Sequence, residues 1–238
     1  MTDVALVTGS TNNVGEAIAR GLSADGYQVV VTSRHGDEAE AVAADLPNGG
    51  SGFEVDLSVP EEIEDLFAFV DDRLGRIHVL VNSVAHTENE SILECDLETW
   101  EYTIATNLRS YYLCTRAAAR RMVANGGGSI VNVTLSRRSG RPSKFSYSVS
   151  KGGVNFLTRC AAHDLAPHGV RVNAVGSGIV GTPVGHADAA GRTYVNDRIP
   201  IGHVGEPGDV ANAVRFLVSE DAKHVVGAKL EVDGGKEA

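Results

Sequence analysis

Tyr147 and Lys151 form the arrangement in this sequence that is best suited to chemistry. They lie four residues apart in a segment with a helical pattern, so both side chains share one helix face. An ammonium beside a phenol favours the phenolate, and a tyrosine with an ordinary pKa of about 10 then exchanges protons closer to neutral pH. Such a pair suits acid/base chemistry on carbonyls and alcohols. The spacing also occurs in helices with only a buried ring and a solvated lysine, so the elements around it must decide.

The N-terminal segment predicts a binding site for a dinucleotide. An apolar run of strand length, Val4–Thr8, leads into a glycine-containing turn and then into a helical pattern. Gly9 permits the tight turn, Gly15 lets helix and strand pack closely, and the free amides at the helix start face the pyrophosphate. The predicted cofactor-binding residues of this loop are Gly9, Ser10, Thr11, Asn12, Asn13, Val14 and Gly15.

Motifs along nearly the whole chain resemble those of the short-chain dehydrogenase/reductase family. The family pattern Thr-Gly-x-x-x-Gly-x-Gly matches at Thr8, Gly9 and Gly15, with Asn13 in place of the middle glycine. Later matches occur, in the family's order, at Val55-Asp56-Leu57, Asn82-Ser83-Val84-Ala85, Asn107, Asn173–Ile179, Thr182-Pro183, Glu206-Pro207 and Val232–Gly235. The resemblance implies an NAD(P)-dependent oxidoreductase. It adds the following cofactor-binding residues: Asp56, Leu57, Asn82, Ser83, Val84, Tyr147, Lys151, Ser177, Gly178, Ile179 and Thr182.

The alternation of strand-like and helical segments predicts an α/β fold. The length of 238 residues suits one domain, 1–238, that both binds the cofactor and carries the catalytic residues. We expect a Rossmann-type, doubly wound parallel sheet with helices on both faces. The predicted strands are Val4–Thr8, Val29–Thr32, Val79–Asn82, Ser129–Val133, Arg171–Val175 and Lys229–Val232.

Composition argues against several other classes of protein. The net charge of −10 is wrong for a nucleic-acid partner, because phosphate backbones require a basic surface. No apolar run approaches the roughly 18 residues of a membrane span, and the first strand begins almost at Met1, so we expect a cytoplasmic protein. Three separated cysteines, Cys95, Cys114 and Cys160, indicate reduced thiols rather than a disulfide framework or a metal site.

The end of the second strand indicates the choice of cofactor. Ser33 stands where NAD-preferring relatives place an aspartate, which binds the ribose hydroxyls and repels a 2′-phosphate. Arg34 follows it with a cation suited to that phosphate, so NADP(H) is favoured over NAD(H). Asn12 weighs against this choice, because many NADP-binding relatives carry a second basic residue there. Arg34 could also simply lie on a solvated loop.

The residue that polarises the carbonyl stays open between two hydroxyls. In the family it is a serine about thirteen residues before the tyrosine and three after the strand asparagine. Counting from Tyr147 gives Thr134, whereas counting from Asn132 gives Leu135, which cannot hydrogen-bond a carbonyl. A rearranged loop would bring Ser136 into the role, and we favour Ser136 over Thr134 and over the absence of any hydroxyl.

The resemblance also implies a mechanism and a set of catalytic residues. These are Asn107, Ser136, Tyr147 and Lys151. Tyr147 protonates the alkoxide that forms when the cofactor delivers hydride to a ketone. Lys151 binds the nicotinamide ribose and lowers the pKa of the tyrosine, while Asn107 anchors a water through which Lys151 regains its proton.

Substrate identity is weakly encoded. We expect a substrate lid from Thr182 to about Ile199, and His86 and His186 are further candidates for the pocket. Four cations before Tyr147 suit an anionic substrate such as an acyl carrier protein or coenzyme A thioester, although such runs are often only solvated: Arg137, Arg138, Arg141 and Lys144. Reduction of a 3-oxoacyl thioester is therefore the leading hypothesis. The alternatives are a sugar, polyol or secondary-alcohol dehydrogenase and a catalytically silent nucleotide-binding regulator.

Family members usually form tetramers through two long helices, expected here at about Leu97–Ala124 and Ser146–Ala166. A two-fold interface needs only one self-complementary patch. The candidates for that patch are Tyr111, Tyr112, Cys114 and Ala118, which could instead pack on the chain's own sheet.

Overall fold

Seven parallel strands form one sheet in the order β3-β2-β1-β4-β5-β6-β7. The computed structural model describes residues 2–136, 142–181 and 199–238. Among these residues all strand pairings in the sheet are parallel, with Ala5 beside both Val29 and Val79 at its centre. The strands are β1 Val4–Thr8, β2 Gln28–Ser33, β3 Gly50–Glu54, β4 Val79–Asn82, β5 Gly128–Leu135, β6 Val170–Ser177 and β7 Lys229–Val232.

Helices connect the strands and cover both faces of the sheet. The α-helices are α1 Asn13–Ala24, α2 Gly36–Ala44, α3 Pro60–Leu74, α4 Leu97–Ile104, α5 Ser110–Ala124, α6 Phe145–Leu165 and α7 Pro207–Val218. A π-helical turn, Ala105–Arg109, joins α4 to α5, and short 3₁₀ turns occur at Ala166–His168 and Glu220–Ala222. The predicted helix over 97–124 is therefore continuous but changes its hydrogen-bond pattern midway.

Alternation along the strands builds two cores. Ala5 and Val7 of β1 pack with α1, α2 and α7, whereas Val4 and Leu6 pack with α3, α5 and α6. Successive side chains of a strand point to opposite faces, so a nearly continuous apolar run marks a strand covered on both sides. The predicted doubly wound α/β fold is confirmed.

The sequence missed β3, and its composition explains why. The strand reads Gly-Ser-Gly-Phe-Glu and carries a single large apolar residue. It lies at the sheet edge, paired through its main chain with Val29–Ser33 of β2. A Cβ added to Gly52 would lie 2.4 Å from the amide nitrogen of Glu40, so α2 packs directly on the strand backbone. Glycine is required here for close approach rather than for core burial.

The expected subunit face needs a correction. Tyr111, Cys114 and Ala118 are buried within the chain itself, and Cys114 and Ala118 belong to the core between the sheet and α3, α5 and α6. Only Tyr112 of the predicted set is exposed, at 47% of its surface. The three cysteines are free thiols. No helix among the described residues is both long and apolar enough to cross a membrane.

Candidate active site

A cleft of about 500 Å³ opens at the carboxyl ends of β1, β2 and β4. The chain turns in opposite directions after β1 and β4, and doubly wound sheets bind their ligands at such a switch point. The cleft is lined by predicted cofactor residues together with newly placed ones: Gly9, Thr11, Asn12, Asn13, Val14, Gly15, Ser33, Arg34, Asp56, Leu57, Ser83, Val84, His35, Glu38, His86, Tyr102 and Thr106.

The glycines of the loop after β1 allow main-chain segments to approach more closely than any side chain would permit. A Cβ on Gly15 would lie 2.1 Å from the carbonyl oxygen of Gly9, so α1 begins in direct contact with the turn. Gly9 has a φ of +62°, and a Cβ there would lie 2.9 Å from Cα of Val84. Asn13, at the place of the middle glycine, has a φ of +46°. Asparagine tolerates the left-handed region better than most residues, so the turn survives this substitution.

Two predicted cofactor residues point into the fold instead. The Ser10 hydroxyl donates to the Val7 carbonyl (2.7 Å) and accepts from the Thr32 amide (2.9 Å), and its side chain is fully buried. The Asn82 amide donates to the Asn132 side chain (2.8 Å) and is also buried. Neither side chain lines the cleft, unlike most residues of the predicted loop. Their hydrogen bonds connect neighbouring strand ends, β1 to β2 and β4 to β5, and so fix the edge of the cleft.

The far end of the cleft carries a carboxylate that the sequence analysis missed. The Ser33 hydroxyl donates to Oε2 of Glu38 (3.2 Å), and the Thr11 hydroxyl lies 3.4 Å from Ser33 Oγ. The exposed Arg34 guanidinium donates to the Tyr102 hydroxyl (3.0 Å). One acid and one cation therefore flank the position expected for the adenosine ribose. Glu38 lies in the first turn of α2, and an acidic residue there could have been noticed as facing back toward β2.

The acidic turn after β3 lies in the same cleft. The Asp56 carboxylate accepts from the Ser58 amide (2.8 Å), while the Asp56 amide donates to Glu62 (2.7 Å). Leu57 is buried beside it. The two residues predicted to contact the adenine thus lie at the cleft wall, in a turn that its own hydrogen bonds hold.

Asn107 lies in the π-helical turn and holds the segment that follows β4. Its side-chain oxygen accepts from the His86 amide (2.7 Å), and its nitrogen donates to the His86 carbonyl (2.7 Å) and to Ser150 Oγ (3.2 Å). The residue is fully buried. Both N–H groups of the side chain thus donate to protein acceptors, so this side chain fixes the segment after β4 at the cleft.

Tyr147 and Lys151 lie one turn apart on α6, as predicted, with Tyr147 half-buried and Lys151 only 2% exposed. The Lys151 ammonium donates to Tyr111 Oη (2.8 Å) and to the carbonyls of Val84 and Val133 (3.2 Å each). Burial lowers the pKa of Lys151 to about 7. The lysine therefore changes charge near neutral pH, as a group that assists proton transfer should.

Both candidate polarising hydroxyls have protein partners. Thr134 is buried, and its hydroxyl donates to the main-chain carbonyl of Lys151 (3.1 Å). The Ser136 hydroxyl donates to Oδ2 of Asp233 (2.5 Å), which also accepts from the Glu237 amide. Leu135 lines a second cavity beside α6. The end of β5 thus places Ser136 in contact with the C-terminal segment. The spacing of motifs in the sequence did not indicate this contact.

The end of β6 lies next to the end of β5, with Ser177 beside Leu135. The carbonyl of Ser177 accepts from the Ser136 amide (2.9 Å), and the Gly178 amide donates to Val232 (2.9 Å). A Cβ on Gly178 would lie 2.7 Å from Cα of Asp233, so glycine is needed there. Ile179 packs against Ile199 and Val204. Several predicted residues lie outside the described part of the chain: Thr182, His186, Arg137, Arg138, Arg141 and the rest of the predicted lid before Ile199.

Known proteins share this arrangement over almost the whole chain. Residues 9–237 match the family described as enoyl-(acyl carrier protein) reductase. A 3-oxoacyl-[acyl-carrier-protein] reductase of Synechocystis sp. is 35% identical, over 98% of this chain and 96% of that protein. A (3R)-3-hydroxyacyl-CoA dehydrogenase of Rattus norvegicus is 36% identical, over 98% of this chain and 95% of its own.

A solved crystal structure assigned as a betaketoacyl-ACP reductase superposes with a TM-score of 0.89 at 34% identity, covering 97% of this chain and 96% of that one. The chain belongs to the short-chain dehydrogenase/reductase family. As a member of that family it is an oxidoreductase that interconverts CH–OH and C=O groups. The predicted resemblance is confirmed.

Proposed function

We propose that this short-chain dehydrogenase/reductase reduces the 3-oxo group of an acyl thioester carried by acyl carrier protein or coenzyme A, with NADPH as the reductant. The observation that carries the proposal is the Tyr147–Lys151 pair on α6, with the Lys151 ammonium bonded to the wall of the dinucleotide cleft at Val84. Relatives at 33–36% identity named for 3-oxoacyl and 3-hydroxyacyl thioesters support this substrate class.

The cleft fits a dinucleotide. Its glycine loop leaves the main chain bare at Gly9 and Gly15, and the start of α1 presents amides to an anion there. Thr11, Asn12 and Asn13 would hold the pyrophosphate end, and Asp56 and Leu57 the adenine. When bound, the nicotinamide supplies the hydride.

Tyr147 gives its proton to the oxygen of the reduced carbonyl. The Lys151 ammonium, one turn along α6, stabilises the phenolate that remains, and a proton taken up from solvent then restores the Tyr147 phenol. The same groups in reverse accept a proton from a 3-hydroxyacyl thioester. Because burial lowers the pKa of Lys151 to about 7, its charged fraction falls as the pH rises above neutral.

Ser136 is the proposed polariser of the carbonyl. Both residues are buried, but the Thr134 hydroxyl donates to the α6 main chain, whereas Ser136 follows the last residue of β5 and donates to the Asp233 carboxylate. To donate to a substrate, Ser136 must release Asp233, so that carboxylate competes with the substrate oxygen. Binding the thioester would then also loosen the C-terminal segment.

The NADPH preference rests on Arg34 with the neutral Ser33 beside it. A 2′-phosphate would attract the exposed guanidinium away from the Tyr102 hydroxyl. Glu38 acts against the phosphate, since its carboxylate lies on the Ser33 hydroxyl. The balance favours NADPH because the serine can donate to the phosphate while the glutamate turns toward solvent.

The protein assembles, we propose, as a homotetramer in the cytoplasm. The outward surfaces of α5 and α6 expose Tyr112, Val149 and Phe156, three large apolar or aromatic groups on the two helices expected to form the subunit face. Static light scattering at micromolar concentration checks this assembly, and a monomer would exclude it.

A substrate panel tests the proposed reaction. Acetoacetyl-CoA, a longer 3-oxoacyl thioester, a ketose and a simple secondary alcohol are compared by the absorbance of NADPH and, separately, NADH. We expect the 3-oxoacyl thioesters to give the highest kcat/KM. Turnover of the ketose or the simple alcohol alone would assign a sugar or secondary-alcohol dehydrogenase instead.

A further inference from the structure

Tyr111 contacts Lys151 of the catalytic pair, although it belongs to none of the family motifs. It is fully buried and ranks first among the largest fully buried side chains of the described residues. It lies near the start of α5, four residues after Asn107. The Asn107 side chain accepts from the His86 amide, and the Tyr111 hydroxyl donates to the carbonyl of Val84 (2.9 Å). Two side chains one turn apart therefore fix the same segment of the cleft, the one that follows β4.

The contacts of Tyr111 converge on Lys151. The ammonium donates to the phenolic oxygen at 2.8 Å and lies 4.4 Å from the centroid of the ring. Three acceptors face the nitrogen, namely the phenol and the carbonyls of Val84 and Val133. The phenol in turn donates its one proton to either of these carbonyls, at 2.9 and 3.0 Å. Lysine, phenol and two strand ends thus form one closed network.

Such a network is costly to bury unless each member is bonded. A phenol or ammonium removed from water without a partner loses several kcal/mol, as a rough estimate. Hydrogen bonds to the charged form of a lysine offset the effect of burial, which here lowers its pKa to about 7. The ring adds a cation–π attraction, of about 0.5–2 kcal/mol in general. The hydroxyl of Tyr111 therefore favours the ammonium over the amine.

Tyr111 keeps its own proton. Burial, followed by the proximity of Tyr147 and Cys114, raises the pKa of its hydroxyl well above the ordinary value. It therefore serves as a neutral acceptor for Lys151 over the working range of pH. It does not compete with Tyr147 as the acid.

We propose that Tyr111 is a positioning residue that holds the Lys151 side chain against the Val84 and Val133 carbonyls and raises the share of its charged form, and thereby sets how strongly that charge acts on Tyr147. The inference rests on the roles of Tyr147 and Lys151 proposed above.

The groups that could titrate around Lys151 are few among the described residues. Tyr147 lies on α6 and Cys114 on α5, and burial raises the pKa of Cys114 to about 12. The segment after β4 and the strand β5 contribute the carbonyls of Val84 and Val133. Beyond α6, Lys229 and Glu231 line a cavity that Lys151 also borders, and they pair with each other at 2.8 Å. His86 follows β4 and also lines the cleft, so the difference between wild type and Tyr111→Phe, and not the pH profile alone, reports on Lys151 and Tyr147.

Tyr111→Phe tests the proposal, since it keeps the ring and removes only the hydroxyl. Tyr112→Phe, its exposed neighbour on the same helix, is the matched control. Oxidation of a 3-hydroxyacyl thioester is followed from pH 6 to 10. We expect kcat to fall about tenfold and the rising limb of kcat against pH to move up by about one unit, with KM for the thioester unchanged. The control should match wild type.

A second measurement uses the wild-type protein, so it does not depend on how the variant folds. The sequence contains five lysines. In protein labelled with ¹⁵N-lysine, we expect one ammonium signal protected from exchange, assigned to Lys151 by its loss in Lys151→Met. If Tyr111→Phe folds, that signal should exchange at least tenfold faster in it.

The outcomes separate the two proposals. Unprotected lysine signals in wild type, or a Tyr111→Phe enzyme whose kcat profile overlays wild type, would overturn the role of Tyr111. If Tyr147→Phe and Lys151→Met stay fully active, the proposed function fails first. If those two lose activity and Tyr111→Phe does not, only the inference about Tyr111 is wrong.

Discussion

The cofactor half and the carbonyl half of the cleft are held in different ways. On the cofactor side, the shape follows from main-chain contact within a few residues, with Gly15 against the Gly9 carbonyl. On the carbonyl side, Lys151 is fixed by groups from the segment after β4, from β5 and from α5, up to 67 residues away in sequence. Local sterics thus shape the first half, and long-range hydrogen bonds shape the second. The cofactor half should therefore tolerate substitutions outside the glycine loop. The carbonyl half should respond to substitutions at positions far from Lys151 in sequence.

Tyr147→Phe should give the largest effect, because it removes the acid of the carbonyl half alone. We expect kcat to fall by about 10²–10⁴-fold, the range typical of losing a general acid. The dissociation constant for NADPH, from fluorescence titration, should stay within a factor of about two to three. Near-normal ketone reduction by this variant would show that another acid acts in the site.

Ser136→Ala and Thr134→Val compare two hydroxyls of the carbonyl half. Ser136→Ala should lower kcat by about a hundredfold, as losing one donor to a developing oxyanion does. Thr134→Val keeps the shape and removes a bond to the α6 main chain, so its loss of activity should be smaller and accompanied by a lower melting temperature. Steady-state kinetics and thermal unfolding of both variants check this. The reverse ranking would assign the role to Thr134.

Arg34→Ala probes the cofactor half. Losing a charge-assisted contact costs about 1.5–3 kcal/mol, so NADPH should bind roughly ten- to a hundredfold more weakly while NADH binding hardly changes. Arg20→Ala is the matched control, since Arg20 pairs with Glu16 and Asp45 instead. Isothermal titration with both cofactors measures the difference. Tighter binding of NADH than NADPH by the wild-type protein would contradict the proposed preference.

The charge on Lys151 should leave a smaller signature in stability. Its folded pKa of about 7 lies below the ordinary 10.5, so between these values the unfolded chain binds the extra proton. The free energy of unfolding of wild type relative to Lys151→Met should therefore rise with pH across this window, by at most about 1.4 kcal/mol per unit. Urea unfolding at pH 7, 8 and 9 without cofactor measures it. A difference that is independent of pH would show that the lysine keeps its ordinary pKa.

The same contrast explains what could be predicted from the sequence. Strands covered on both faces have long apolar runs, so six of the seven were found within two residues of their bounds. The glycine turn was predictable because its constraint is local. By contrast, β3 owes its place to main-chain pairing and to close approach of α2, which leave no periodic pattern.

Side-chain direction was the harder part. Ser10 and Asn82 lie in the right motifs but point inward, since each completes a buried hydrogen bond between strands. Ser136 and Asp233 are 97 residues apart, and only the fold brings them together. Tyr111 was predicted at a subunit face because an aromatic residue on a long helix suits both the side that packs on the sheet and the side that faces another subunit. Its inward direction depends on the phase of α5.

That phase is set by the π-helical turn Ala105–Arg109. Such a turn amounts to one extra residue in the helix, and one residue corresponds to a rotation of about 100°. Removing a residue from the turn would restore regular winding and swing all of α5, carrying Tyr111 and Cys114 off their present face. If α5 is transferred from one relative to another, the π-helical turn must therefore be transferred with it. The turn fixes the rotation of α5 about its axis relative to α4.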